Sequence, residues 1–133
     1  MITNADITIY NKKYDPAARK DTWHWTVLKG VHFYCGHRVQ LLAAGLVNAD
    51  LYKIRVPVDA QTDKQYVPQS EFQAAEDVSH LWTIQKGDCI AVGIGPDISS
   101  LQELQKLIRD TCKITAWSDN RRGGLPHWRI EGV

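Results

Sequence analysis

Histidine, cysteine and tryptophan crowd one stretch of this chain, where Trp23-His24-Trp25 is followed by His32, Cys35 and His37. Imidazole and thiolate are the side chains that hold zinc or drive nucleophilic attack, so this stretch is the first place to look for chemistry. Its spacing argues against both. The stretch alternates like a strand, in which residues an odd number apart face opposite ways, so His32 and Cys35 are divided and only Cys35 and His37 can share a face. Two ligands do not make a zinc site, and partly exposed strand histidines are the simpler reading. Cys89 and Cys112 lie within apolar strand patterns, where a thiol acts as a small hydrophobe, and no C-x-x-C spacing joins the cysteines. Neither a G-x-S-x-G elbow nor a cysteine-enzyme signature is present. Glu76 and Asp77 are chain neighbours in a polar stretch and read as solvated carboxylates. Val92-Gly93-Ile94-Gly95-Pro96 lacks both phosphate-loop spacings, and Pro96 removes a backbone donor, so it reads as a strand end. The expectation is a protein without catalytic residues, metal or cofactor.

The elements around these residues are mostly strands. Ile7-Thr8-Ile9-Tyr10 alternates and ends in the polar run NKKYDPAARKD. From Trp23 to Tyr34 the alternation places Trp23, Trp25, Val27, Val31 and Phe33 on one face and His24, Thr26, His32 and Tyr34 on the other, with Gly30 a bend or bulge. LYKIRVPVD sends Tyr52, Ile54, Val56 and Val58 one way and Lys53 and Arg55 the other, and Pro57 suggests a sheet edge. The polar segment DAQTDKQYVPQSEFQAAEDVSH is a long excursion outside the sheet, with only a weak helical pattern from Ser70 to Glu76. LWTIQ and CIAVGI, joined through Lys86-Gly87-Asp88, read as a hairpin. Ser100 and Glu103 form a capping box for a helix whose stripe is Leu101, Leu104, Leu107 and Ile108. TCKITAW, the loop SDNRRGGLP and HWRIEGV make a closing hairpin with a basic tip. Residues 1–133 therefore read as one mainly β domain, a small antiparallel barrel or sandwich with one short helix in the C-terminal half and long loops.

Composition narrows the function classes. The chain has 133 residues, 44% hydrophobic and 23% charged, enough for a core of its own and unlike a disordered chain. Lysine plus arginine number 16 against 15 acidic residues, so a duplex-binding footprint over the whole surface is not expected. No apolar run approaches the roughly 20 residues that cross a bilayer, and the start of the chain has no apolar signal core, so no membrane is expected and a cytoplasmic site of synthesis is. Five tryptophans raise the alternative of an OB-like barrel that stacks single-stranded nucleic acid or glycan, but at least four of them fall at core positions. The basic tip Asn120-Arg121-Arg122-Gly123-Gly124 keeps that alternative open and equally suits docking on an acidic partner.

Several strings are specific in this order: ITIYN, TVLKGVHF, YKIRVPVD, WTIQKGD, and ITAWSDNRRGGLPHWRI at the end. Together they resemble a family of small phage and prophage proteins of Gram-positive bacteria, labelled minor capsid or head-tail proteins. The resemblance implies a virion component of the head-tail region, similar to head-closure and connector proteins that sit as rings beneath a portal. It implies portal or adaptor and tail proteins as partners, a homo-oligomeric ring in the particle, and residence in the virion after assembly in the host cytoplasm. It offers no catalytic residues. For such a role the candidate contact segments are the loop from Lys12 to Lys20, the excursion from Gln61 to Ser70 and the arginine tip, and the candidate residues are Lys12, Lys13, Arg19, Lys20, Lys64, Tyr66, Arg121 and Arg122.

Overall fold

A computed structural model describes residues 3–42, 45–95, 101–108 and 111–133, without the side chains of 37–42, 45–50, 101 and 105. In chain order the strands are β1 (Ala5–Asp15), β2 (Lys20–Leu42), β3 (Gly45–Pro57), β4 (Gln65–Tyr66), β5 (Leu81–Trp82), β6 (Cys89–Val92), β7 (Thr111–Asn120) and β8 (His127–Gly132). The helices are α1 (Gln69–Ala74) and α2 (Leu101–Leu107). Six strands close an antiparallel barrel in the order β1-β2-β3-β8-β7-β6, while β4 and β5 form a separate parallel pair. The fold is thus the mainly β barrel expected from the alternation, with two short helices in place of one.

The alternation works because every second residue fills the interior. Ile7 and Ile9, Ile54 and Val56, Ile90, Cys112 and Ile114, and Trp128 and Ile130 enter one core from successive strands. A second cluster lies outside the barrel wall, where Leu104 of α2 covers Tyr10, Cys89 and Ala91, with Trp23 and Ile108 at its margin. The helix therefore covers a face of the barrel. Leu107 leaves the expected stripe and is 60% exposed, and the Ser100 cap lies outside the described residues.

Gly30 corrects the face assignment of β2. It is a bulge with φ of +78°, and the register slips there, with Ala5 opposite Val31 but Asp6 opposite Lys29. One extra residue inverts the parity, so Thr26 and Leu28 are buried before the bulge and Val31 after it, whereas Trp25 lies outside. Trp23, Trp25 and Val27 consequently do not share a face with Val31 and Phe33. Pro57 lies where the strand becomes an edge: the pairing of β3 with β2 stops at Arg55, so Pro57 has β8 alone beside it, opposite His127, and a turn follows at once in which Ala60 donates to its carbonyl.

LWTIQ and CIAVGI do not pair with each other. β5 lies parallel to β4, and β6 pairs with β1 and β7. The segment between them is held by side chains instead: Asn11 Nδ2 donates to the Thr83 carbonyl at 2.7 Å, and the Thr83 amide donates to Asn11 Oδ1 at 3.2 Å. This amide completes a backbone pairing that a neighbouring strand would otherwise supply, which fixes which end of Asn11 faces Asp88. Asp88 then accepts from Asn11 Nδ2 at 3.0 Å, Gln85 Nε2 at 2.6 Å and the Lys12 amide at 3.2 Å. Gln73 of α1 joins by donating to Gln85 Oε1 at 2.6 Å. The long excursion is therefore sewn to β1 through a buried polar network while Trp82 and Ile84 enter the core.

Beyond β6 the turn closes back on β1. Thr8 donates to the Gly93 carbonyl at 2.7 Å and accepts from the Gly95 amide at 2.8 Å. A methyl group at Gly95 would stand 2.0 Å from the buried Tyr10 hydroxyl. Gly95→Ala is therefore expected to lower unfolding free energy by about 1–3 kcal/mol through overpacking. In a double-mutant cycle with Tyr10→Phe, denaturant titration should give a stabilising coupling.

Burial raises the Asp88 carboxyl above the usual aspartate range, and its three donors oppose the shift without cancelling it. A raised folded value means that Asp88 contributes most below the usual carboxylate range and loses part of that contribution as pH rises through the folded value. Asp88→Asn sets an NH2 among donors and is expected to cost about 1–3 kcal/mol. The gap between wild type and variant should be widest in acid and narrow as pH rises, as read from unfolding titrations across pH.

Candidate functional site

The candidate residues do not form one site. Lys12 and Lys13 belong to β1 and Lys20 to β2, so the expected loop is a hairpin whose turn is only residues 16–19. Arg19 turns the corner at φ of +53° and is exposed with Lys20 at the tip. Lys13 is already engaged, donating from Nζ to the Gln73 carbonyl at 2.8 Å. Lys64 is engaged too, through Nζ to the Trp25 carbonyl. It lines an open groove of about 710 Å³ with Trp25, Val27, Lys29, Gln61 and Ile94. Burial lowers the Lys64 pKa, and burial followed by the charges of Lys64 and Lys13 lowers that of His24. Trp25 is the exposed tryptophan of this groove, at 38%.

Tyr66 and Arg121 do meet, although the chain separates them widely. Tyr66, Trp82 and Trp128 form a triangle of rings with centroids 4.7 to 5.3 Å apart. The Arg121 guanidinium lies 5.3 Å from the centroids of both Tyr66 and Trp128. Asp119 holds it there with two parallel bonds, Nε to Oδ1 at 2.9 Å and Nη2 to Oδ2 at 2.7 Å. The same pairing lowers the Asp119 pKa, while burial raises that of Tyr66. Buried Trp128 Nε1 has no partner among the described residues. Val58 donates to the Pro126 carbonyl, which brings exposed Val58 and Leu125 to the same end of the barrel. An arginine on aromatic rings beside exposed aliphatic residues is the composition of a protein-contact hot spot. Arg122 projects from the tip and is exposed.

Sequence reasoning missed the largest feature. Beyond Phe33, β2 runs on to Leu42 and pairs with β3 from Gly45, while β1 ends its pairing at Val31 and β8 begins at Tyr52. Residues 35–42 and 45–51 thus form a two-stranded arm that leaves the barrel, with no third strand on either edge among the described residues. The eight residues of its β2 side reach about 27 Å. The string QLLAAGLV, apolar around a glycine, was the available signal.

The groups that chemistry would need are differently placed. Burial pushes the thiols of Cys89 up to about 11 and Cys112 up to about 12, leaving them protonated at neutral pH. Among the described residues no three His, Cys, Asp or Glu side chains converge as metal ligands. Arg121→Ala is expected to cost about 0.5–1 kcal/mol of stability, the scale of an exposed cation–π contact, and to leave the fold intact by circular dichroism.

No curated protein matches the chain. Residues 2–133 match a family of unknown function, DUF6751. That match spans nearly the whole chain, and the protein belongs to this family.

Proposed function

We propose that this protein is a structural subunit of a phage or prophage particle, placed in the head-tail region, that acts by protein contacts and assembles as a ring. The observation that carries the reading is the β2–β3 arm. An isolated two-stranded ribbon is marginally stable in water, and both of its edges offer unpaired backbone groups. Among the described residues the arm is the longest ribbon without a strand on either edge, ahead of the tip of the β1–β2 hairpin and the β4–β5 pair, so it offers the most strand edge to be filled. A partner strand or an apolar neighbouring surface satisfies both needs, and a heterologous contact repeated by rotation closes a ring. The resemblance of the SDNRRGGLPHWRI string to head-tail proteins supports a phage particle, and the Arg121 cluster offers a second surface suited to a portal, adaptor or tail partner.

The alternative, an OB-like barrel for single-stranded nucleic acid or glycan, draws its support from the groove beside Trp25. That groove has spent its nearest lysine on a backbone carbonyl, and Trp82 and Trp128 are buried in the core.

Light scattering across concentration, with and without a portal complex, tests the reading. A ring, or a monomer that binds the portal, is the expected outcome. Replacing residues 39–48 by an Asn-Gly turn should leave a folded monomer that no longer assembles. A chain that stays monomeric throughout and ignores the portal removes the connector reading.

A further inference from the structure

The outward face of β2, β3 and β8 concentrates positive charge in a chain of net charge +1. The register puts His32, Arg55 and Arg129 in one row across the three strands, and Tyr34, Lys53 and Glu131 in the next. His32, Tyr34, Lys53, Arg55 and Arg129 together line a small cavity of about 180 Å³. Each row spans about 10 Å, and the rows lie about 7 Å apart along the strands. Glu131 is the acid of these rows, bonded to Arg129 at 2.9 Å. Lys53 and Arg55 have no ion pair among the described residues.

Tyr34 sits in this field with its side chain outside, 55% exposed. Its ring lies back over Gly36, where a methyl group would stand 3.3 Å from the ring edge. The missing side chain at position 36 leaves room for the ring edge beside the strand. An exposed aromatic ring bordered by cations without ion pairs on a sheet surface matches the demands of a single-stranded polynucleotide: a π surface for a base and fixed charges for the flanking phosphates. A duplex keeps its bases stacked inside and would use the charges alone.

We propose that this face binds single-stranded nucleic acid, with Tyr34 stacking a base and Lys53, Arg55 and Arg129 holding phosphates. The site goes beyond the structural role: its binding side chains lie on barrel strands, and it shares with the arm only Gly36 at the arm's base. Glu131 restrains it by holding Arg129.

The test is fluorescence anisotropy of the full chain, at a concentration where light scattering gives its oligomeric state, with labelled oligothymidylate and oligouridylate of about 15 nucleotides and a duplex of the same length. Single strands are expected to bind, with the logarithm of the association constant falling against that of salt with a slope of about −2, for three phosphates at roughly 0.7 each. Tyr34→Ala should weaken binding about tenfold with the slope unchanged. The double change Lys53→Ala and Arg55→Ala should reduce the slope to about −0.7. Glu131→Gln should tighten binding by freeing Arg129, an outcome that a purely structural role for this face does not give. Thermal melts of each exposed-face variant confirm folding. Absence of binding at low salt, affinity unchanged in the double variant, or equal binding of duplex with Tyr34→Ala silent would overturn the proposal. None of these results bears on whether the arm assembles a ring.

Discussion

The bulge at Gly30 is the constraint on which the rest of the molecule depends. A strand of 23 residues cannot follow the barrel wall in one register, and β2 solves this by changing neighbours: β1 before the bulge and β3 after it. The left-handed φ of +78° turns the strand, and the extra residue inverts its faces. Thr26 and Leu28 line the inside on one side, Val31 on the other, so the core stays continuous through the corner. The same inversion puts His32 and Tyr34 outside and sends the remaining strand past the barrel as the arm. Asp6 Oδ1 accepts the Gly30 amide at 3.1 Å, supplying the partner that the broken ladder withdraws.

Two asparagines act where strand pairing runs out. Asn4 donates to the Phe33 carbonyl and accepts its amide, just as Asn11 does with Thr83. In both cases one carboxamide imitates the donor and acceptor pair of a strand residue, so buried or bent backbone is satisfied without another strand. The second case has the greater consequence. It ties residues 83–88 to β1 and thereby lets the whole excursion, with Trp82 and Ile84, complete the barrel core. Burial of Asp88 is tolerated because three donors with positions set by backbone surround it.

How much of this was legible follows from what periodicity encodes. Ile54 and Val56, Cys112 and Ile114, and Trp128 and Ile130 could be assigned inward because a two-residue repeat reports a face directly. Gly30 was visible as a break, but a bulge and a bend look alike in sequence and only the bulge changes parity. The hairpin between LWTIQ and CIAVGI was read from a connector of the right length; what competes with it, the Asn11 carboxamide, lies 72 residues from Thr83 and leaves no local pattern. Loop position and residue type single out Tyr66 and Arg121 separately, and their meeting depends on the excursion packing against the closing hairpin. The arm escaped because QLLAAGLV reads equally as buried strand or helix when no alternation is kept.

The near-zero net charge conceals a division of labour on the surface. Cations gather on the β2–β3–β8 face, while the groove between the first hairpin and α1 is lined by Asp15, Glu76 and Asp77 with Lys13. Neutral totals of this kind let copies approach without long-range repulsion while opposite faces orient the encounter. The cationic face also adjoins the base of the arm, since Tyr34 precedes its first residue by one position on β2. Anything that holds Tyr34 and Gly36 fixed therefore also fixes the direction in which the arm leaves the barrel.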